Sequence, residues 1–346
     1  MRTSTPRGWT KAMRELTVSQ ALNEALREEM LRDPHLFLIG EDIGGPGGMF
    51  KVTQGLLAEF GPQRVVDTPI SELAIVGAAV GAALTGVPVV AELMYSDWIT
   101  IAMDQIVNQA AKLRFMTGGQ VSVPIVVRAP TGGGLGMGPQ HMQSLQAWFA
   151  HIPGLKVVLP ANAADAKGLL KVAIRDPNPV VFLEHKGLYN RTGPVPEGEH
   201  LVPLGKAAVL RTGGDVTLVA TSFMVEHALA AADELAAEGI AVEVIDPRSL
   251  RPFDLPTVLA SLSKTGRLVV VDEGHRTCGW AAEVVTAVVE KAFYDLDAPP
   301  ERVTAADAPI GYARALEEEV LPSRAKVVAA LRRVLGLPAP APASAR

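Results

Sequence analysis

The sequence predicts an α/β protein built from two three-layer α/β domains, and three observations carry that reading. Apolar runs of strand length alternate with segments of helical periodicity. The alternation occurs twice, on either side of a stretch of Pro, Gly and polar residues. Small residues abound while aromatics make up only 5% of the chain, a composition that suits helices lying close on sheets.

The elements follow in order. From Thr17 to Leu31, residues Val18, Ala21, Leu22, Ala25 and Leu26 share one helical face, and Thr17 with Gln20 has capping-box spacing. Strand-type runs come next at Leu36–Gly40, Val87–Ala91, Val123–Arg128, Lys156–Leu159 and Val180–Glu184. Helical segments such as Ile101–Phe115 and Ala163–Ile174 separate them, which implies a mostly parallel sheet. Between Gly187 and Gly205 the text GLYNRTGPVPEGEHLVPLG has no periodicity and reads as a linker. Beyond it, strands are expected at Val216–Thr221, Ala241–Ile245 and Leu268–Asp272, with helices from Val225 to Glu238, near Leu255–Ser263 and near Ala281–Phe293. The expected organisation is a disordered extension over 1–12, a domain over 13–187, a linker over 188–204, a second domain over 205–336 and a flexible Pro/Ala tail over 337–346. Met13 is a second candidate start.

Of the 346 residues 48% are hydrophobic and 20% charged, enough material for two domains with a core each. No apolar run reaches membrane-spanning length. Cys278 is the only cysteine, which excludes a disulfide within the chain or a cysteine-based metal site and fits a reducing cytoplasm. The first twelve residues carry Arg2, Arg7 and Lys11 without an apolar core, so they do not read as a secretory signal. A net charge of −5 without a basic stripe argues against nucleic acid as a partner.

Four places could carry chemistry. Glu72 lies in DTPISELAIVGAAVGAALTG, at the mouth of a helix of small apolar residues. It could simply complement the helix dipole. Alternatively it is a carboxylate in a dry pocket, its pKa raised enough to give a proton to a ligand nitrogen. PTGGGLGMGPQH follows a strand, where parallel sheets bind ligands, but its glycine spacing does not match the dinucleotide fingerprint. His141 ends that loop beside Gln140 and Gln143, in a catalytic or a structural role. Met94, Tyr95 and Trp98 could stack a flat heterocycle or belong to the core. The other histidines have no metal spacing, and no serine nucleophile elbow occurs.

Seven stretches resemble the β subunits of thiamine diphosphate-dependent 2-oxo acid dehydrogenases. They are GEDIG at Gly40–Gly44, DTPISELA at Asp67–Ala74, AELMYSDW at Ala91–Trp98, PQHMQS at Pro139–Ser144, PGLKVVLPANAADAKGLL at Pro153–Leu170, IRDPNPVVFLE at Ile174–Glu184 and IDPRSLRPFD at Ile245–Asp254. The family includes pyruvate, branched-chain 2-oxo acid and acetoin dehydrogenases, and the resemblance covers nearly the whole chain. It implies a transketolase-like pyrimidine-binding domain followed by a transketolase C-terminal-like domain.

The resemblance further implies that Glu72 protonates the aminopyrimidine ring of thiamine diphosphate. It places Ile70, Met94 and Trp98 around that ring, Glu41 in the linked acid network and His141 by the substrate channel. A potassium site of several members would map to Ile125, Ala173, Ile174, Asp176 and Asn178. Family α subunits hold the diphosphate through Mg²⁺ with a Gly-Asp-Gly motif. That motif is absent here, Gly213-Gly214-Asp215 being the nearest sequence. The chain therefore reads as half of a cofactor site, completed by an α subunit in an α2β2 heterotetramer that docks on a lipoyl acyltransferase core. Met142 stands where the family often has Ser, and Trp98 where it commonly has Phe or Tyr, so pyruvate, branched-chain and acetoin-type substrates all stay open. Two other readings are a non-catalytic assembly subunit and a nicotinamide-dependent dehydrogenase using the glycine loop.

Overall fold

The computed structural model describes residues 13–339; the expected extension over 1–12 and the end of the tail lie outside the described residues. The chain opens with strand β1 (Met13–Thr17), and Thr17 then caps helix Val18–Arg32 in the anticipated capping box, its side chain accepting from the Gln20 amide. Strands β2 (Phe37–Glu41), β3 (Val65–Thr68), β4 (Val89–Glu92), β5 (Ile125–Thr131), β6 (Lys156–Val158) and β7 (Val180–His185) follow. They pair in parallel in the order β6-β7-β5-β4-β2-β3. Their residues are apolar on both faces because both faces are covered, as βαβ crossovers require. Val89 and Ala91 point to helix Glu72–Leu84, while Val90 between them joins the core under helices Val18–Arg32 and Ala163–Ile174.

After β8 (Thr192–Pro196), a second sheet is formed by β9 (Ala208–Arg211), β10 (Val216–Ala220), β11 (Val242–Asp246), β13 (Leu268–His275) and β14 (Glu301–Ala305), in the order β14-β13-β10-β11-β9. Helices Leu255–Thr265 and Trp280–Ala292 cover one face, and Met224–Ala236 and Arg324–Val334 the other. Both halves are thus three-layer α/β, as the alternation implied.

Three features depart from the sequence reading. The stretch taken as a structureless linker contains β8, which pairs antiparallel with β1; two prolines within its five residues hid it, and they are tolerated because β8 sits in a ribbon of only two strands. The single helix expected over Ile101–Phe115 is instead a 3₁₀ segment Ser96–Ala102, a π turn Gln105–Ala110 and a short α-helix Ala111–Met116. The interior is not divided between the halves. One apolar cluster runs from Val127 and Phe149 to Val270 and Trp280, and β12 (Ser249–Arg251), from the second half, adds antiparallel to β6 at the edge of the first sheet.

Candidate active site

Parallel register aligns the carboxyl ends of the first sheet's strands. Glu41 stands opposite Thr68, Gly40 opposite Glu92, and Thr131 opposite His185. Close packing there explains the glycines of GEDIG. A Cβ on Gly40 would meet the Glu92 carbonyl at 2.7 Å, and one on Gly44 the Asp67 carboxylate at 2.6 Å.

Four residues after the end of β3, Glu72 opens helix Glu72–Leu84. It is buried, at 8% exposure, and among the described residues no protein donor reaches its carboxylate. Its neighbours are acidic. Burial, then Asp42, Glu72 and Asp67, push the Glu41 carboxyl above its ordinary value. Yet the apolar residues flanking Glu72 face outward: Ile70 is 73% and Leu73 46% exposed. A buried carboxylate side chain flanked by two exposed apolar side chains has the form of half a pocket.

The second group forms around the segment after β4. Met94 and Trp98 are half-buried, while Tyr95 and Asp97 are buried. Asp97 accepts from the backbone and side-chain amides of Gln143, at 3.1 and 3.0 Å, and Ser96 reaches Thr131 at 3.0 Å. These bonds tie the 3₁₀ segment Ser96–Ala102 to β5 and the loop after it. They also bring His141 to the aromatic pair, its ring edge-on to Trp98 at 5.5 Å and to Tyr95 at 5.7 Å. The structure thus groups Trp98 with His141 and Glu41 with Glu72, on the strand ends of one sheet.

The glycine loop after β5 is held from the second half of the chain. Glu273 on β13 accepts from the Gly133 amide at 2.7 Å and from Ser144 at 2.8 Å, and pairs with His185 at 2.8 Å. Burial raises the Glu273 carboxyl, but His185 and the donors hold it at about 2. Glu317 accepts from Gly134 at 2.7 Å. A Cβ on Gly132 or Gly138, both at positive φ, would lie 2.2 Å from His185 or Tyr312, respectively. The amides a pyrophosphate would need are therefore already bonded to protein carboxylates, which removes the physical basis for a dinucleotide cradle.

The positions assigned to potassium gather elsewhere. Ile125 starts β5, Ala173 and Ile174 end helix Ala163–Ile174, and Asp176 and Asn178 precede β7, all at the amino edge of the sheet. Asp176 accepts from the Asn178 backbone and side chain, each at 3.0 Å, and also pairs with Lys156. Helix-end carbonyls beside a carboxylate suit a cation, though the Lys156 ammonium already neutralises that carboxylate. Among the described residues no cluster of His, Cys, Asp and Glu could hold a metal ion.

Comparison with known proteins decides the family. The pyrimidine-binding domain of transketolase matches residues 14–192, and the transketolase C-terminal domain matches 205–327. A pyruvate dehydrogenase E1 component subunit beta-2 from Oryza sativa is 49% identical over 94% of this chain and 88% of its own length. The chain belongs to the β subunits of the 2-oxo acid dehydrogenase first component. Within this β-subunit family, the acetoin:2,6-dichlorophenolindophenol oxidoreductase subunit beta of Bacillus subtilis is 46% identical, with 94% and 99% of the two chains covered. Among solved structures, a split-gene transketolase described as an inactive β4 tetramer superposes with a TM-score of 0.77 at 25% identity, covering 93% of this chain and 99% of that one.

The sequence reading missed Lys186, Asp97, Glu273 and Glu317. Asp97 was within reach, inside AELMYSDW. Glu273 and Glu317 were not, because their partners lie 140 and 183 residues away.

Proposed function

We propose that this chain is the catalytic β half of a thiamine diphosphate-dependent 2-oxo acid dehydrogenase, active only with a separate α subunit. Glu72 carries the reading: a buried carboxylate without a protein donor, opening between exposed Ile70 and Leu73, suits a ring nitrogen brought in on a cofactor that a second chain completes. Bound there, thiamine diphosphate supplies the electron sink for decarboxylation. Glu72 holds the proton at the aminopyrimidine ring nitrogen, and Glu41, raised by burial and acidic neighbours, shares the proton network behind it. Ile70, Met94 and Trp98 flank the ring and keep water from it. His141, edge-on to Trp98, borders the substrate channel.

The substrate is pyruvate or a branched-chain 2-oxo acid, with the acyl group passed to lipoyl groups of an acyltransferase core. A relative named for acetoin at 46% identity keeps acetoin cleavage as the second reading. Mg²⁺ falls to the α subunit of an α2β2 assembly, since this chain has no Gly-Asp-Gly motif. A structural K⁺ at Ile125, Ala173, Ile174, Asp176 and Asn178 requires Lys156 to share Asp176. Residues 13–187 form the cofactor half, 188–204 connect, and 205–336 serve assembly and docking. Among the described residues no helix is long and apolar enough to cross a membrane, and the proposed location is the cytoplasm.

The test is reconstitution. The purified chain should not reduce dye with any 2-oxo acid or acetoin, and activity should appear on adding a matching α subunit, thiamine diphosphate and Mg²⁺. Activity from the chain alone overturns the half-site reading. An inactive but well-formed heterotetramer with the full substrate panel favours the assembly-subunit alternative.

A further inference from the structure

Lys186 follows β7 at the start of the 3₁₀ turn Lys186–Leu188, and it is 4% exposed. Its ammonium donates to the Gly132 carbonyl at 3.0 Å and to the His141 carbonyl at 2.5 Å, and it sits 4.8 Å over the Tyr95 ring. Among the described residues no carboxylate forms an ion pair with it. A buried lysine satisfied by two carbonyls and a ring face is costly to place, since a charged group loses its water without gaining a counter-ion.

The two carbonyls are the two ends of the glycine loop. Between them Gly132, Gly134, Gly136 and Gly138 all take positive φ, and glycine loses more conformational freedom on ordering than any other residue. Glu273 and Glu317 hold the Gly133 and Gly134 amides from the second half of the chain. Next to the Trp98–Tyr95–His141 ring cluster, Lys186 joins one end of the loop to the other.

We propose that Lys186 is a positioning residue: by joining the Gly132 and His141 carbonyls across the mouth of the glycine loop, it sets the His141 ring against Trp98 and Tyr95. The proposal rests on the reading of His141 as a channel residue. A consequence follows from the charge. Burial lowers the Lys186 ammonium to about 8, although Asp97 and Glu273, which face it from the 3₁₀ segment and from β13, oppose that shift; Tyr95, His141 and His185 are the other titratable groups around it. The joint is strongest with Lys186 charged and weakens as pH rises through about 8, because carbonyl bonds from a cation are stronger than those from an amine and the ring contact depends on the charge.

The experiment compares the reconstituted heterotetramer carrying wild-type chain, Lys186→Met, Lys186→Gln or His141→Ala, with two readouts. Amide exchange over 132–141 should speed up at least ten-fold in Lys186→Met and less in Lys186→Gln, whose amide still donates. Turnover at saturating substrate should fall on the order of ten- to hundred-fold in Lys186→Met. Wild-type kcat should decline above about pH 8, and that decline should be absent from Lys186→Met. Exchange over 132–141 equal to wild type in both Lys186 variants overturns the proposal, as does an unchanged alkaline limb. Should Lys186→Met fail to fold, Lys186→Gln and the wild-type pH profile carry the same two readouts. Wild-type activity in His141→Ala combined with fast loop exchange in Lys186→Met would remove the channel role of His141 while keeping the loop joint, so the two failures are distinguishable.

Discussion

Glu72 is buried at 8% exposure, while Ile70, two residues before it, is 73% exposed. The turn between them puts an uncompensated carboxylate inside and an apolar side chain outside, a pairing disfavoured in an isolated protein and sensible at an incomplete site. Glu72→Gln should therefore leave folding and assembly intact and lower reconstituted turnover by roughly 10²- to 10⁴-fold, the usual range for a positioned proton-transfer group. Wild-type dye reduction by this variant would end the assignment.

Ile70→Asp should weaken assembly as well as the ring site that Ile70 is proposed to flank. Burying one such side chain against a partner is worth about 1.5–3 kcal/mol, and a charge in its place adds a desolvation cost. Size-exclusion chromatography with the α subunit is expected to show free chains at concentrations where wild type is fully assembled. Because Ile70 packs into no core of this chain, its melting temperature alone should be unchanged.

Inside the first sheet, Arg128 is 1% exposed, bonds Glu184 at 2.8 and 2.5 Å and also pairs with Glu92. Arg128→Met leaves two buried carboxylates facing each other and should cost about 3–5 kcal/mol in urea denaturation. Adding Glu92→Gln and Glu184→Gln to that variant should restore much of the loss. A single variant as stable as wild type would show that the cluster contributes nothing.

Acid stability depends on the pairs between the first helix, helix Ala163–Ile174 and Glu199. Hydrogen bonds from Arg175 and Lys171 hold the Glu199 carboxyl at about 2. Burial raises Glu24, but bonds from Arg14 and Lys167 bring it to about 2 as well. Both folded values lie below the ordinary 4.5, so the unfolded chain binds protons first as pH falls. Their stabilisation is complete above about 4.5 and disappears between there and about 2. Urea midpoints measured from pH 6 to pH 2 should show that slope, and Glu199→Gln should flatten it. The same slope in the variant would remove Glu199 from the account.

Much of this protein was legible from the order of its residues. Two rounds of strand–helix alternation, the Thr17 capping box, Glu72 at the mouth of an apolar helix and the absence of Gly-Asp-Gly are all local patterns, because they depend on backbone periodicity and on neighbours within a few positions. The paired strands β1 and β8 could not be read that way, since 175 or more residues separate each pair of partners and β8 carries prolines.

What the tertiary structure alone decided is which distant groups share a bond. Glu273 and Glu317 reach across from the second half to bind the glycine loop, and Lys186 joins its two ends. No periodicity encodes such contacts: an acidic residue in a strand or a lysine after one looks the same in sequence whether it meets water or a buried amide. The difference comes from desolvation, which depends on what the rest of the chain packs around the group, and that exists only in the folded molecule.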